Sequence, residues 1–534
     1  MMMRRFLLTT AGVCLAVAGA GAGSAETLRE ALIRAYRTNP TITGARADLR
    51  AQDETVPIAR ASGLPSSSVQ GQFTENVRQT GNNIFAPDRQ VNAQATVSYP
   101  IISFGAVRNS VRAAATRVEA GRANLRGTEA NLFTDVVSAY MDVIRDEAVV
   151  ALNQQNVRAL GVNLQASRDR FEVGDLTRTD VAQSEARRAL AEAQLRQAEA
   201  RLIASRENYI RVTGAPAGTL ETPPPLPNLP GDTTSAVSTA LNDNPLLEAA
   251  EKARDATRYD TRVARASRLP RISVQTGGTY YNFLGTLGSS SPISAAPQSD
   301  YGLTAGIGLS VPLYQGGRPA AQVRQAQARE SQAIEQVTAT ERGVVAQVRS
   351  AYANWQSAQQ VIASSEVAVQ ANRLSLEGVR AENSVGTRTI LDILNAEQEL
   401  LNSQVTLVSA RRDAYVAGFA LLAAMGRAEA DDLNLGDTGP LYDPIANYDR
   451  VRRKISDWGS DPEPEPVATR TVDVAPQTPV VGRNPELEDP ALSRPPGTDP
   501  AALNPGTPPQ GAPAGRTGRQ SVDTTPANPA GTPR

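Results

Sequence analysis

The chain has 534 residues, with 54 Lys and Arg against 55 Asp and Glu, a formal net charge of −1, and no histidine. That length exceeds one ordinary domain, and so even a charge balance leaves no electrostatic footprint for nucleic acid. The single cysteine, Cys14, sits inside an N-terminal segment with Arg4 and Arg5, an apolar run from Phe6 to Ala20, and then Gly23-Ser24-Ala25. This pattern predicts an export signal over 1–25, cut after Ala25; the apolar run is too short to span a membrane comfortably. Val13 before Cys14 fits a lipoprotein cleavage site poorly, and the Arg pair is a weak match to a twin-arginine signal. Removing Arg4 and Arg5 leaves 52 basic against 55 acidic residues, a charge of −3, with neither Cys nor His. Disulfides, His/Cys metal sites and His-dependent catalysis are then excluded, and no cofactor is expected. No later segment offers about 18 consecutive apolar residues, so the chain could enter a membrane only as strands of a closed barrel.

In chain order the pattern is helical from Glu26 to about Gly63, with Leu28, Leu32, Tyr36 and Val56 among Ala, Arg and Glu and an interruption at Asn39-Pro40. Such a proline starts a helix after a break. From Pro65 the period becomes two. Val69, Gly71 and Phe73 alternate with Ser68, Gln70 and Gln72, and Val91, Ala93, Ala95, Val97 and Tyr99 with Asn92, Gln94, Thr96 and Ser98. Two strands, about 65–78 and about 90–100, are predicted, joined by a polar loop from Thr80 to Asp88. A long helix follows, its apolar residues seven apart at Val111, Val118, Leu125, Leu132 and Ala139, then in a shifted phase at Val143, Val150, Val157, Leu164 and Phe171. Spacing of seven predicts left-handed supercoiling, and the run would extend about 100 Å.

A tip turn at 173–175 and a second helix complete a unit ending at Gly214. The unit then recurs at an offset of 212, which relates Tyr140 to Tyr352, Gly174 to Gly386, Asp180 to Asp392 and Gly214 to Gly426. The chain is therefore a duplication, with repeats over 26–214 and 236–426 and a Pro-rich linker over 215–235. The second repeat has its own Asn244-Pro245 break, strands at about 270–283 and about 300–313, a Gly/Ser/Pro-rich loop from about Leu284 to Ser299, and a tip turn at 385–387. Its helices keep the spacing of seven at Trp355, Ile362, Val369 and Leu376, and at Leu394, Leu401, Val408, Tyr415 and Leu422. The extension 427–534 is Pro-rich and expected to be disordered from about Asp461, since its composition cannot offset its ordering entropy. The fold class is mainly α with a small β part. Four strands with one apolar and one polar face match an outer-membrane barrel better than a soluble sheet, but are too few to close one, since the smallest have about eight. More than one subunit per barrel is required.

Two strands, a long helix, a Val-Gly turn and a shorter helix, all duplicated, resemble the TolC family of outer-membrane efflux and secretion channels. The residues that carry the resemblance are Tyr314-Gln-Gly-Gly317 after the fourth strand, its weaker twin Ser103-Phe-Gly105, Ser384-Val-Gly-Thr-Arg-Thr389 and Leu391-Asp392-Ile-Leu394. It covers about Glu26 to Arg427. It implies a homotrimer whose twelve strands close one barrel in the outer-membrane lipid and whose helices continue into the periplasm as an α-helical tunnel. It further implies a periplasmic membrane-fusion adaptor docked on the tips and linked to an inner-membrane pump or ABC transporter.

Thr177-x-x-Asp180 and Thr389-x-x-Asp392 fit helix capping boxes, with Arg388 placed to pair with Asp392 at i,i+4. The resemblance adds a second role. It implies that Asp392 faces the pore axis, where three-fold symmetry makes a carboxylate ring that attracts cations. The family's second acidic ring falls on Asn395, so this chain has one ring of Asp rather than two. Links that hold the tips shut map to Arg388, Thr179 and Asp180, while the tyrosine that often joins them is Asn383 here. Val173, Gly174, Val385 and Gly386 become adaptor-docking tips, or else simply meet the needs of a tight turn. The function expected is a passive exit duct for efflux or type I protein secretion; the alternative is a periplasmic coiled-coil scaffold without a pore. An enzyme is not expected, because no nucleophile–base–orienter set can be assembled and Tyr314-Gln-Gly-Gly317 lacks the lysine of a phosphate loop.

Overall fold

A computed structural model describes residues 25–78, 87–287, 297–482, 484–489 and 492. The expected export signal, apart from Ala25, lies outside them, as do parts of both hairpin loops and the chain from Ser493 onward. The N-terminal arm is three helices, α1 (Leu28–Thr38), α2 (Pro40–Asp53) and α3 (Thr55–Ala61). Asn39 ends α1, and its side chain accepts the Thr41 N–H at 2.8 Å to start α2 with Pro40 in the first turn. The further break at Glu54 has no signature in the periodicity. The second repeat repeats the device. There α6 (Thr233–Asp243) stops at Asn244, whose side chain caps α7 (Pro245–Ala266). Each asparagine also ties its arm to the last helix of its own repeat. Asn39 Nδ2 donates to the Val212 carbonyl at 2.8 Å and Asn244 Nδ2 to that of Ala424 at 2.9 Å.

Strands β1 (Ser66–Glu75), β2 (Arg89–Ile102), β3 (Arg271–Asn282) and β4 (Ser299–Ser310) form one antiparallel sheet in the order β1-β2-β3-β4. Its register sorts the side chains. Val69 faces Ala95, Ala95 faces Gly278 and Gly278 faces Leu303; four residues along, Tyr99, Val274 and Ile307 share a row. Because successive residues point to opposite faces, the row Ser68, Thr96, Gly277 and Thr304 lies on the other side. The Ser68 and Thr96 hydroxyls there are 2.9 Å apart. One face is thus apolar and open, with Leu303 83% exposed, and the other polar. Among the described residues, strands β1 and β4 each have one edge with no pairing strand.

Below the sheet run α4 (Ala106–Glu172), α5 (Arg178–Thr213), α8 (Arg318–Ser384) and α9 (Ile390–Ala424). The two first-of-pair helices have 67 residues each, about 100 Å at 1.5 Å per residue. The α4 helix packs on α5, α7 and α9, and α8 packs on α7 and α9. The seven-spaced residues form the seams: Val118, Leu125, Leu132, Val143, Val150 and Leu164 of α4 are buried, as are Leu394, Leu401, Val408 and Leu422 of α9. Phe171, last of its series, is instead largely exposed. The main core gathers around Phe133, Tyr140 and Tyr209. The Tyr140 hydroxyl there lies 2.8 Å from the Glu26 carbonyl and 2.6 Å from that of Glu221, binding the start of the chain to the inter-repeat linker.

Beyond Gly426 the extension runs along the N-terminal arm toward the sheet. Arg29 meets Asp437, the Tyr442 N–H reaches the Tyr36 hydroxyl at 3.1 Å, and Asn447 Nδ2 donates to Asp53 at 2.7 Å. A short helix, α10 (Ala446–Val451), then brings the Arg452 carbonyl within 3.3 Å of Arg60 Nη1. The chain next reverses toward the tips, and the described part of the segment expected to be disordered from about Asp461 runs without regular strand or α-helix along the helices. Arg206 of α5 donates to the Val480 carbonyl at 3.0 Å, Asn484 Nδ2 to that of Ile144 on α4 at 3.0 Å, and Arg411 of α9 holds Glu486 at 2.9 Å. Leu492 is fully buried. The segment builds no core of its own and touches the helices at separate points, leaving Val467, Val472 and Val480 exposed.

Candidate functional site

Each helical hairpin turns back through five residues, 173–177 between α4 and α5 and 385–389 between α8 and α9. The two turns are the same Schellman motif. The Gly174 N–H donates to the Phe171 carbonyl at 3.0 Å and the Asp175 N–H to that of Arg170 at 2.8 Å. Gly386 and Thr387 make the matching bonds to Asn383 and Glu382, both at 3.0 Å. Gly174 at φ 84° and Gly386 at φ 81° occupy the left-handed region, which glycine enters without strain. The adjoining Val173 and Val385 are 80% and 74% exposed and protrude as apolar knobs.

The helices that follow start with closed capping boxes. Asp180 Oδ2 accepts the Thr177 N–H at 2.9 Å and its hydroxyl at 2.7 Å; Asp392 Oδ2 accepts those of Thr389 at 2.9 and 2.8 Å. These threonine hydrogen bonds, the hydroxyl first and the backbone second, hold both carboxyls below the usual carboxylate range, and the Arg388 charge lowers Asp392 a little more. Both are ionised at neutral pH and half-exposed, so capping does not stop them presenting charge.

Arg388 takes a different partner from the one its spacing suggests. Its Nε donates to Glu382 at 2.7 Å, back across the turn, while Asn383 Nδ2 holds the Arg388 carbonyl at 2.7 Å. Within one protomer Arg388 is not brought to Thr179 or Asp180. The first tip has an ion pair of reversed polarity anchored at the equivalent position, Arg170 with Asp175 at 2.9 Å. Asn395, one turn beyond Asp392, accepts from Arg187 Nη2 at 2.7 Å and so links α9 to α5.

Sequence reasoning missed Arg187 and the polar cluster behind it. Glu397, 6% exposed, takes Asn163 Nδ2 at 3.0 and 3.1 Å and Arg380 Nη2 at 2.7 Å, joining α4, α8 and α9. A signal was present, because Arg168 and Glu185 form the corresponding pair of the first repeat, at 3.7 Å and at the same 212 offset. Around these links the apolar cluster is small: Leu160, Ala191 and Leu394, with Val157 and Ile390 beside them. Such a cluster contributes only ~5 kcal/mol of gross burial, so polar links of about 1 kcal/mol each are a large share of what holds the hairpins together here. Among the described residues no cluster of His, Cys, Asp or Glu could hold a metal ion, and no helix is long and apolar enough to cross a membrane.

Paired hairpins of very long helices, crowned by a sheet whose open face is apolar, define a channel protein of the outer membrane with a periplasmic helical tunnel. The model of the Outer membrane efflux protein family matches residues 31–215 and 236–427, and the chain belongs to that family. It is 34% identical to Outer membrane efflux protein BepC of Brucella suis over 439 residues, 81% of this chain and 92% of the relative. It is 27% identical to Outer membrane protein TolC of Escherichia coli, over 84% of this chain and 93% of that one. It is 30% identical to Alkaline protease secretion protein AprF of Pseudomonas aeruginosa over 58% of this chain and 64% of the relative. The solved CmeC outer membrane channel of Campylobacter jejuni superposes with a TM-score of 0.65 at 15% identity, covering 80% of this chain and 90% of that one. These findings support the channel over the coiled-coil scaffold.

Proposed function

We propose that three copies of the chain form a passive exit duct, closed at the periplasmic tips, for a tripartite efflux pump or a type I secretion system. The observation that carries this reading is the sheet: one apolar face, one polar face and two open edges. Unpaired strand edges cannot stay bare in lipid. Joining β4 of one copy to β1 of the next around three copies removes them and makes a twelve-stranded barrel. The long helices point the same way. Val361, Val367 and Leu374 of α8 are exposed in the single chain although Val369 and Leu376 of the same helix are buried, so a further apolar stripe awaits a neighbour.

At the tips Asp392 forms the pore constriction, a ring of three carboxylates, with Asn395 one turn deeper. Arg388, Thr179 and Asp180 act as gate links between neighbouring copies, Arg388 exchanging Glu382 for a partner across the interface. Val173, Gly174, Val385 and Gly386 receive a periplasmic adaptor that leads to an inner-membrane pump or ABC transporter. The chain performs no chemistry of its own. BepC is described as an efflux protein and AprF as a protease secretion protein; the larger coverage of the BepC match favours efflux. The test is planar-bilayer conductance of the purified protein with and without a trivalent cation, for wild type and Asp392→Ala. Small currents blocked in the wild type alone support the ring, whereas current insensitive to the cation removes Asp392 from the constriction.

A further inference from the structure

Among the described residues the C-terminal extension reverses direction at one place, at the end of its climb along the N-terminal arm toward the membrane-entering sheet. Its ascending limb meets α1 through Tyr36, α2 through Asp53 and α3 through Arg60. Arg60 lies one turn before Gly63, whose Cα packs against Val107 in the first turn of α4, just below the end of β2. The descending limb begins at Asp461, which pairs with Arg450 at 2.7 Å and Lys454 at 3.4 Å and so pins the two feet of the loop together. Residues 453–460 are therefore the apex of the extension. They carry Arg453-Lys454-Ile455-Ser-Asp-Trp458, with Ile455 72% and Trp458 97% exposed.

A tryptophan and an isoleucine left almost bare on a pinned loop have no role in the fold of this chain. Trp458 joins no core cluster, and neither Arg453 nor Lys454 is buried. We propose that this apex loop is an interfacial anchor, seated in the head-group region of the periplasmic leaflet of the outer membrane. Trp458 and Ile455 enter the acyl boundary, and Arg453 and Lys454 meet anionic phospholipid phosphates. Two features select lipid as the occupant. The loop is the part of the extension nearest to the barrel and so continues the membrane surface that the sheet defines. Its exposed indole and aliphatic side chain are also what a membrane interface favours, with Arg453 as a cation beyond the Lys454–Asp461 pair and Asp457 as the one acid between them. The anchor would fix the height of the barrel in the bilayer and give the descending limb, braced on α4, α5 and α9, a stationary upper end.

Trp458 and Trp355 are the only tryptophans in the sequence, so Trp355→Phe leaves Trp458 as the sole reporter. The full-length protein would be reconstituted into vesicles of phosphatidylethanolamine and phosphatidylglycerol. The expected result is blue-shifted emission, shielded from iodide, and quenched several-fold more by lipid brominated near the head group than by lipid brominated deep in the acyl chain. Arg453→Glu, which leaves the Lys454–Asp461 pair in place, should weaken that quenching. If Trp355→Phe perturbs folding, Trp458→Cys carrying an environment-sensitive dye gives the same readout, since Cys14 falls within the expected export signal. Full iodide access with no bromolipid quenching would overturn the anchor by leaving the loop in water. Blue-shifted emission that neither lipid quenches would overturn it in favour of a neighbouring subunit covering the loop.

Discussion

At the scale of single residues, the tips show how one side chain can serve both the fold and the site. Asp392 closes a capping box through one oxygen, and those same threonine bonds favour its charged form. A group whose pKa is depressed stays ionised below the ordinary carboxylate value of about 3.9. In the ring the capping bonds favour the charged form and the like charges of the other two carboxylates oppose it, so cation block should fade under acid as the ring takes up protons; block that is unchanged between neutral pH and strong acid would contradict the assignment. Glu129 is the opposite case. Burial pushes its carboxyl up to about 7, with the like charge of Glu429 adding to this and the Ala430 N–H, donating at 2.5 Å, opposing it; Arg46 and Asp431 also face it. Between about pH 4.3 and 7 the folded chain then holds a proton that the unfolded chain has released, so stability falls as pH rises across that window. The term is worth up to roughly 3 kcal/mol. Glu129→Gln should flatten it, read as a thermal midpoint in detergent that changes less between pH 5 and pH 8 than that of the wild type. Asp392 was legible in the sequence because Thr389-x-x-Asp392 is a local motif. Arg187 was not, because its partner Asn395 lies 208 residues away and only the packing of two hairpins brings them together.

At the scale of elements, strands and helices were readable for the same reason that they are stable, since each carries one dominant period. Alternation over Val91 to Tyr99 marked β2, and spacing of seven marked α4 and α9 until Phe171, in the last turn of α4 at the tip, where the pattern no longer reports burial. The break at Glu54 left no trace in the periodicity, although Pro57, which has no N–H to bond the Asp53 carbonyl, was a local signal for it. The tip turns combine geometry and display, and these can be separated. Gly386→Ala places a Cβ at φ 81° and should cost about 1 kcal/mol per chain, seen as a lower melting temperature. Val385→Ser leaves the turn intact and should keep the wild-type melting temperature while weakening adaptor capture. If both variants behave alike, the docking role of the valine fails. Arg187→Ala, which removes the α5–α9 link, should raise single-channel conductance. Asn395→Ala, which also shortens a side chain of the proposed constriction, should raise it at least as much, and the double variant no further than Asn395→Ala alone, because the two share one hydrogen bond.

At the scale of the whole molecule, the chain is built to be incomplete alone. Its sheet has two free edges, α8 leaves an apolar stripe open, and the extension covers an outer surface that composition gave no reason to expect. Composition gave a Pro-rich segment that cannot bury itself, and its described residues from Asp461 on are indeed mostly exposed, touching the helices at single polar points such as Arg206, Asn484 and Arg411. Barrel closure between copies can be tested directly, since the expected mature sequence contains no cysteine and engineered pairs have no competitors. Cysteines placed in turn at Ser66 or Gln70 on β1 and at Thr304 or Gly308 on β4 should, on oxidation, give covalent species no larger than three chains. The bond requires Cα atoms within about 7 Å, which adjacent strands satisfy at about 5 Å and separate barrels do not. Within one copy β1 and β4 are separated by two intervening strands, roughly 14 Å at about 4.8 Å per step, so a crosslink cannot form inside a single chain. A ladder ending at three would fix both the partner strand and the stoichiometry. Monomer alone at every pair, in protein that still conducts, would mean that the edges are capped by something other than a second copy of this chain.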